Sequence, residues 1–270
     1  MRIFTPTQEL PFAGHPTIGT AYVLATVGRF PPNTTEITLH EKVGQISVTL
    51  EGDPARPSFA WLTSPPVRFE PPIANRAGIA EAVGLAMNDL LGGATGPPIQ
   101  VGSTGNRFLY VPVRDRAATD AVVIDSRRLA TILSPVGVGD DSPLIGVFVF
   151  NPEEARGADH VGGAYARMIA PTPAEGEDPT TGSASGPLAV YLVKEGLHAE
   201  ARPTSGSIRL LSEQGTKMLR QSFVHLAVDL DPSGAVTTVR IGGSTAPVIE
   251  GVLRLPEHRS GGPTSGSQND

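Results

Sequence analysis

Two stretches of the chain combine side chains that handle protons with backbone that can hold an anion. In "LPFAGHPTIG", residues 10–19, His15 follows Gly14 at the mouth of an apolar segment with helical spacing. In "EDPTTGSASGP", residues 177–187, Asp178 precedes Thr181, Gly182 and Ser183 at the mouth of another. Imidazole and carboxylate are the commonest general acids and bases. A helix entrance adds unpaired N–H groups and partial positive charge, which suit a carboxylate. Glycine there lets a ligand reach the backbone. Each residue also has a plainer reading: His15 as a capping or packing histidine, Asp178, Glu175 and Glu177 as solvated turn acids, and Ser183 as an N-cap.

The two stretches share a layout of strand, Gly-rich polar loop and apolar helix. "RIFTPTQELPFAGHP" runs into "TIGTAYVLA", and "ARMIAPTPAEGEDPTTGSASGP" runs into "LAVYLVKEG". Such a duplication implies two similar domains that face each other, each presenting a helix N-terminus to a shared cleft. The ligand class that follows is a small acid.

The elements that must position these residues are legible in outline. A strand is expected at 2–5 and a helix at 16–27, with Pro16 in the first turn and Gly28 as the stop. Strands follow at 36–50 and 58–66, with Val43-Gly44 as a hairpin or bulge position, and then a helix at 76–91. After "GGATGPP" the pattern restarts: strand, turn and strand over 99–113, helical segments over 115–133, strands at 144–151 and 164–171, and a helix at 187–196. Further strands are expected at 207–212, 219–229, 236–241 and 247–255. A boundary near 94 gives a first domain of 1–94 plus a returning strand at 247–255, and a second of 95–246. The tail 256–270 is polar, low in complexity and expected to be disordered. The fold class is α+β.

Composition narrows the function. With 31 Gly and 26 Pro in 270 residues, short strands and tight turns are favoured over a helical bundle. A net charge of −6 and the lack of a basic stripe argue against nucleic acid and anionic lipid as partners. The absence of cysteine excludes thiol nucleophiles, two-thiol racemase chemistry and cysteine-ligated zinc. No apolar run reaches the roughly 18 residues that span a bilayer, and no secretory leader opens the chain, so a cytoplasmic protein is expected. "GSASG" places Ala184 where a nucleophile elbow needs serine. "GVG" at 137–139 lacks the rest of a dinucleotide fingerprint, and Asp159-His160 has no partner at ligand spacing. Neither cofactor nor metal is expected.

At "RIFTPTQELPFAGHPTIGTA" and "EDPTTGSASGPLAVYL", followed by "SEQGTKMLRQS" at 212–222, the chain resembles the PhzF-like family, named for the phenazine-biosynthesis isomerase. The resemblance spans nearly everything but the tail. It implies the diaminopimelate-epimerase fold, two similar domains each with a sheet wrapped around a central helix, and commonly a homodimer. It also implies a cofactor-independent proton shift in a small cyclic amino-acid-like carboxylate. By motif matching, His15 and Asp178 fall on the family's ligand-binding and proton-handling positions. Gly14, Gly182 and Ser183, with Thr181 beside them, fall on its anion site. Family members carry a Ser-Glu-Thr stretch, whose glutamate is the principal acid/base, in a segment that would lie upstream of Arg2. The expectation is therefore that this chain lacks that segment, through a mis-set start or natural loss, with impaired activity and Glu9 as the nearest remaining acid. A non-catalytic small-acid binder and a hydrolase reusing the cleft are the alternatives.

Overall fold

The structure is a computed structural model that describes residues 1–5, 8–133, 144–153, 162–171, 176–198 and 206–252. Glu175, Gly137 to Gly139, Asp159-His160 and the tail from 256 lie outside the described residues.

A short hairpin, β1 (Ile3–Phe4) and β2 (Glu9–Leu10), leads into helix α1 (Gly14–Thr26). Strands β3 (Glu36–Glu41), β4 (Gly44–Asp53) and β5 (Arg56–Thr63) form an antiparallel meander. Its first strand alternates: Ile37, Leu39 and Glu41 point inward while Glu36, Thr38 and His40 face out. Gly44 turns the first hairpin at φ +128°, as its position in the sequence predicts. The expected helix over 76–91 is cut short. Helix α2 (Arg76–Ala82) ends because Gly84 adopts φ +75°, and a separate 3-10 turn follows at Met87–Asp89.

Beyond the meander, β6 (Arg68–Phe69) pairs with β7 (Gln100–Ser103), which pairs with β8 (Arg107–Pro112); α3 (Arg116–Ala121) and α4 (Ser126–Leu133) then lie between β8 and its parallel neighbour β9 (Leu144–Glu153). Strand β10 (Gly163–Ile169), the short β11 (Glu177–Asp178) and helix α5 (Gly182–Lys194) lead to β12 (Ser207–Gln214), parallel to β10. Strands β13 (Ser222–Leu230) and β14 (Val236–Gly243) close the order β3-β4-β5-β14-β13-β12-β10-β9-β8-β7-β6, with β11 on β10. The halves join where β14 pairs with β5, Ile241 opposite Leu62.

This one sheet wraps both long helices. α5 is buried from Gly182 through Leu192 without a break, consistent with an apolar sequence on every face. α1 buries Gly14, Thr17, Ile18 and Ala21. Residues of both halves share a core, Phe12, Ile18 and Leu62 with Leu188, Leu226 and Ile241. A second core packs α2, α3 and α4 on the opposite face of β7 to β9, through Ile79, Val83, Leu129, Val111 and Val149. That is why β8 is buried on both faces.

Three expectations need correction. α5 begins at Gly182, not at Pro187, which lies inside it. α1 begins at Gly14, so Pro16 is its third residue, where a missing N–H still costs nothing. The returning strand at 247–255 does not form over 244–252, where Val248, Ile249 and Val252 are exposed; the strand that meets the first half is β14. No helix among the described residues is long and apolar enough to cross a membrane.

Candidate active site

The two helix entrances meet. A Cβ on Gly14 would lie 2.8 Å from the Cα of Gly182, and one on Gly182 would lie 2.9 Å from the Cα of Gly14. Only glycine at both positions allows the first turns to touch. Neither entrance has a side-chain cap: Ala13 and Thr181 occupy the N-cap positions without bonding the first-turn N–H groups. The positive ends of two helices therefore converge with their backbone donors available to a ligand.

The duplication seen in the sequence extends to side chains. In each helix the hydroxyl of the fourth residue donates to the N-cap carbonyl, Thr17 to Ala13 at 2.7 Å and Ser185 to Thr181 at 2.8 Å. Each hydroxyl has a second partner on a strand. Gln214 of β12 stands 3.5 Å from Ser185 Oγ through Nε2, while its Oε1 accepts from the Thr181 N–H at 3.1 Å. Glu41 of β3 holds the matching place, with Oε1 2.6 Å from Thr17 Oγ1.

The β7–β8 turn stitches the entrances together. Asn106, buried, donates through Nδ2 to the Phe12 carbonyl at 2.7 Å and reaches Ser183 Oγ at 3.5 Å. Thr104 donates to the Ser183 carbonyl at 3.0 Å. That carbonyl would ordinarily accept the N–H four residues on, but residue 187 is proline and has none. Thr104 thus fills the acceptor that Pro187 leaves open, which is how a proline survives inside α5. Tyr110, whose hydroxyl is pushed up by burial, donates to the Ala184 carbonyl at 2.6 Å.

Gly14, His15, Thr180 and Gly182 line one cavity of about 640 Å³, with β13 and the end of β14 as its other wall. His15, the second residue of α1, is exposed. Asp178 is half-buried in the turn that enters α5, where its carboxylate accepts from the Thr181 hydroxyl at 2.7 Å and the Thr180 N–H at 3.3 Å. Thr181 directs its hydroxyl to Asp178, and Ser183 turns its own away from solvent toward Asn106. Neither Thr181 nor Ser183 lines the cavity; both position the entrance of α5 behind it. Glu177 is paired with Arg167 at 2.8 Å, and Glu9 is bound by Arg2, which holds its carboxyl below the usual range.

Thr104 and Asn106 were not singled out from the sequence, and Gln214 and Arg220, though inside the quoted "SEQGTKMLRQS", were given no role there. A proline six residues into an apolar helix was a usable signal, since it announces an orphan carbonyl and hence a donor somewhere. Nothing local names Thr104 as that donor.

Glu41 is buried at 9% exposure, and its Oε2 has no hydrogen-bond partner. Burial pushes its carboxyl above the ordinary value, against the Thr17 hydrogen bond and the Met1 amine. A hydroxyl has one proton, and Thr17 Oγ1 faces two oxygens, Ala13 O and Glu41 Oε1. If Thr17 donates to Ala13, Glu41 must donate to Thr17 and is therefore protonated, doing for α1 what the Gln214 amide does for α5. A raised folded-state value stabilises the protein fully below the ordinary carboxylate range, and this contribution is lost as pH rises through the folded value. Glu41→Gln should then match wild type below about pH 4 and exceed it at pH 8. The gap should be on the order of 1 kcal/mol, a few degrees in Tm. Thermal melts across that range check it; equal pH slopes in the two proteins would show Glu41 to be ionised.

A family profile described as phenazine biosynthesis-like protein matches residues 1–251. A trans-2,3-dihydro-3-hydroxyanthranilate isomerase of Pseudomonas aeruginosa is 30% identical over 251 residues, covering 93% of this chain and 77% of that protein. The uncharacterized isomerase YddE of Escherichia coli K12 is 30% identical over 233 residues, covering 85% and 71%. The crystal structure of a Bacillus anthracis phenazine biosynthesis protein of the PhzF family has the same fold, with a TM-score of 0.71 at 24% identity over 90% of this chain and 76% of that one.

Proposed function

The chain belongs to the PhzC-PhzF family of phenazine biosynthesis-like proteins, and from that premise we propose that it is an isomerase that shifts a proton within a small cyclic amino-acid-like carboxylate. The observation that carries this reading is the contact of Gly14 with Gly182, which brings two uncapped helix entrances and His15 to one cavity. The substrate carboxylate accepts from backbone N–H groups at the entrances. Asp178 lies behind the cavity lining and acts on the reaction by fixing the entrance of α5 through Thr180 and Thr181. His15 takes a proton from one ring carbon, the double bond moves, and the imidazolium, after exchanging with solvent, delivers a proton to another carbon on the same face. The reaction gains and loses no electrons, so it needs no redox group.

The test is solvent-label incorporation. Cyclic amino acids, headed by trans-2,3-dihydro-3-hydroxyanthranilate because the Pseudomonas relative is named for it, are incubated with the protein in D2O and followed by NMR. Deuterium at a ring carbon is the expected result. Binding without label would replace the isomerase with a non-catalytic small-acid binder, and a cleaved product would replace it with a hydrolase.

A further inference from the structure

We propose that Arg220 is a substrate-binding residue of the same cavity, and that the ligands it selects are small ring acids with a second acidic group. One carboxylate sits on the paired helix entrances and the other on the Arg220 guanidinium. The inference rests on the anion-binding reading of the entrances and adds to it the class of acid.

Arg220 lines the cavity together with Gly14, His15 and Gly182. Among the described residues its guanidinium makes no ion pair or hydrogen bond, whereas its backbone is tightly held. The Arg220 N–H donates to Gly215 O at 2.9 Å, and its carbonyl accepts from Ser222 Oγ at 3.2 Å. Gly215 has φ +74°, and a Cβ there would lie 2.2 Å from the Arg220 carbonyl oxygen and 3.0 Å from that of Pro179. The turn is thus pressed against the loop that carries Asp178 into α5. Glu213 anchors the turn on both sides, accepting from Thr216 at 2.7 Å and Gln221 at 2.9 Å while bound by Arg116 at 2.6 Å. Burial opposes its charge, yet these donors hold the carboxyl down to about 2. Leu219, next to Arg220, is in the left-handed region at φ +59° and 97% exposed, a conformation unfavourable for leucine that this anchored turn imposes.

The charge around the guanidinium agrees. The chain carries a net −6, yet no Asp or Glu lines this cavity among the described residues, while Arg220, His15 and His225 do. A guanidinium is a planar fork that matches a carboxylate with two parallel hydrogen bonds. Held on a fixed turn at the rim, it can engage an acid group that the helix entrances leave free.

Benzoate, phthalate and isophthalate, titrated by calorimetry and followed at the Gly14 and Gly182 amides by NMR, test this. At least one diacid should bind wild type about tenfold to a hundredfold more tightly than benzoate. Arg220→Gln should bring that ratio to about one while leaving benzoate affinity unchanged, and Arg220→Lys should fall between. The turn is held by the Arg220 backbone and by Glu213 rather than by the guanidinium, so both variants should fold. A diacid preference that is absent in wild type, or that survives Arg220→Gln, overturns the assignment to Arg220 while benzoate binding leaves the helix-entrance reading standing. Failure of all three acids to move the Gly14 and Gly182 amides overturns that reading as well.

Discussion

Gly182→Ala is expected to destabilise the protein by about 1–3 kcal/mol and to cut turnover by about a hundredfold or more. Inside a helix the same exchange ordinarily stabilises by up to about 1 kcal/mol, because alanine has less backbone entropy to lose. Here the new methyl would stand 2.9 Å from the Cα of Gly14, well inside the roughly 3.5–4.0 Å at which carbon atoms rest. Both sides of the contact are backbone in a first helical turn, so no flexible side chain can give way. The helices must separate, and with them the N–H groups proposed above to hold the substrate carboxylate. Gly14→Ala should behave alike, with its methyl 2.8 Å from Gly182 Cα. Gly19→Ala is the control: it lies in α1, nothing comes within 4 Å of its added carbon, and it should be neutral or stabilising. Denaturant unfolding together with kcat on a labelled substrate would measure both effects. A Gly182→Ala protein as stable and as active as wild type would show that the entrances need not touch.

His15→Ala is expected to lower kcat/KM by about 10²–10⁴-fold, the usual contribution of a positioned acid or base, with Tm almost unchanged. His15 is exposed, so its loss opens no cavity in the core. A drop in activity would therefore report on chemistry. The experiment also separates His15 from Asp178. Asp178 accepts two hydrogen bonds in the turn before α5, so Asp178→Asn should disturb that turn as well as the reaction. A loss confined to KM in the His15 variant would make the imidazole a binding group. A loss smaller than about tenfold would remove it from the mechanism.

Glu41 and Pro187 show where local reading stops. The alternation of "EITLHE" already puts residue 41 on the inward phase, so a buried carboxyl is legible in the residue pattern alone. What it would meet there is not, because Thr17 stands 24 positions away on a helix whose docking depends on the sheet. Pro187 invites a helix start, since proline is at home in a first turn. Its true place, well inside α5, is tolerable only because Thr104, 79 positions before Ser183, supplies the missing hydrogen.

By itself the sequence determined the α+β class, most strands, the two Gly-rich helix entrances and their shared layout, because these depend on spacing and residue type over a few turns of chain; the family came from the resemblance of its long motifs. Only the tertiary structure decided that the entrances touch through Gly14 and Gly182, that Asn106 joins them, that β14 makes the bridge between halves, and that Arg220 shares their cavity. Those facts rest on contacts between segments far apart in sequence, Asn106 to Phe12 across 94 positions among them. Such contacts are set by strand order and crossover path, which short-range periodicity does not encode.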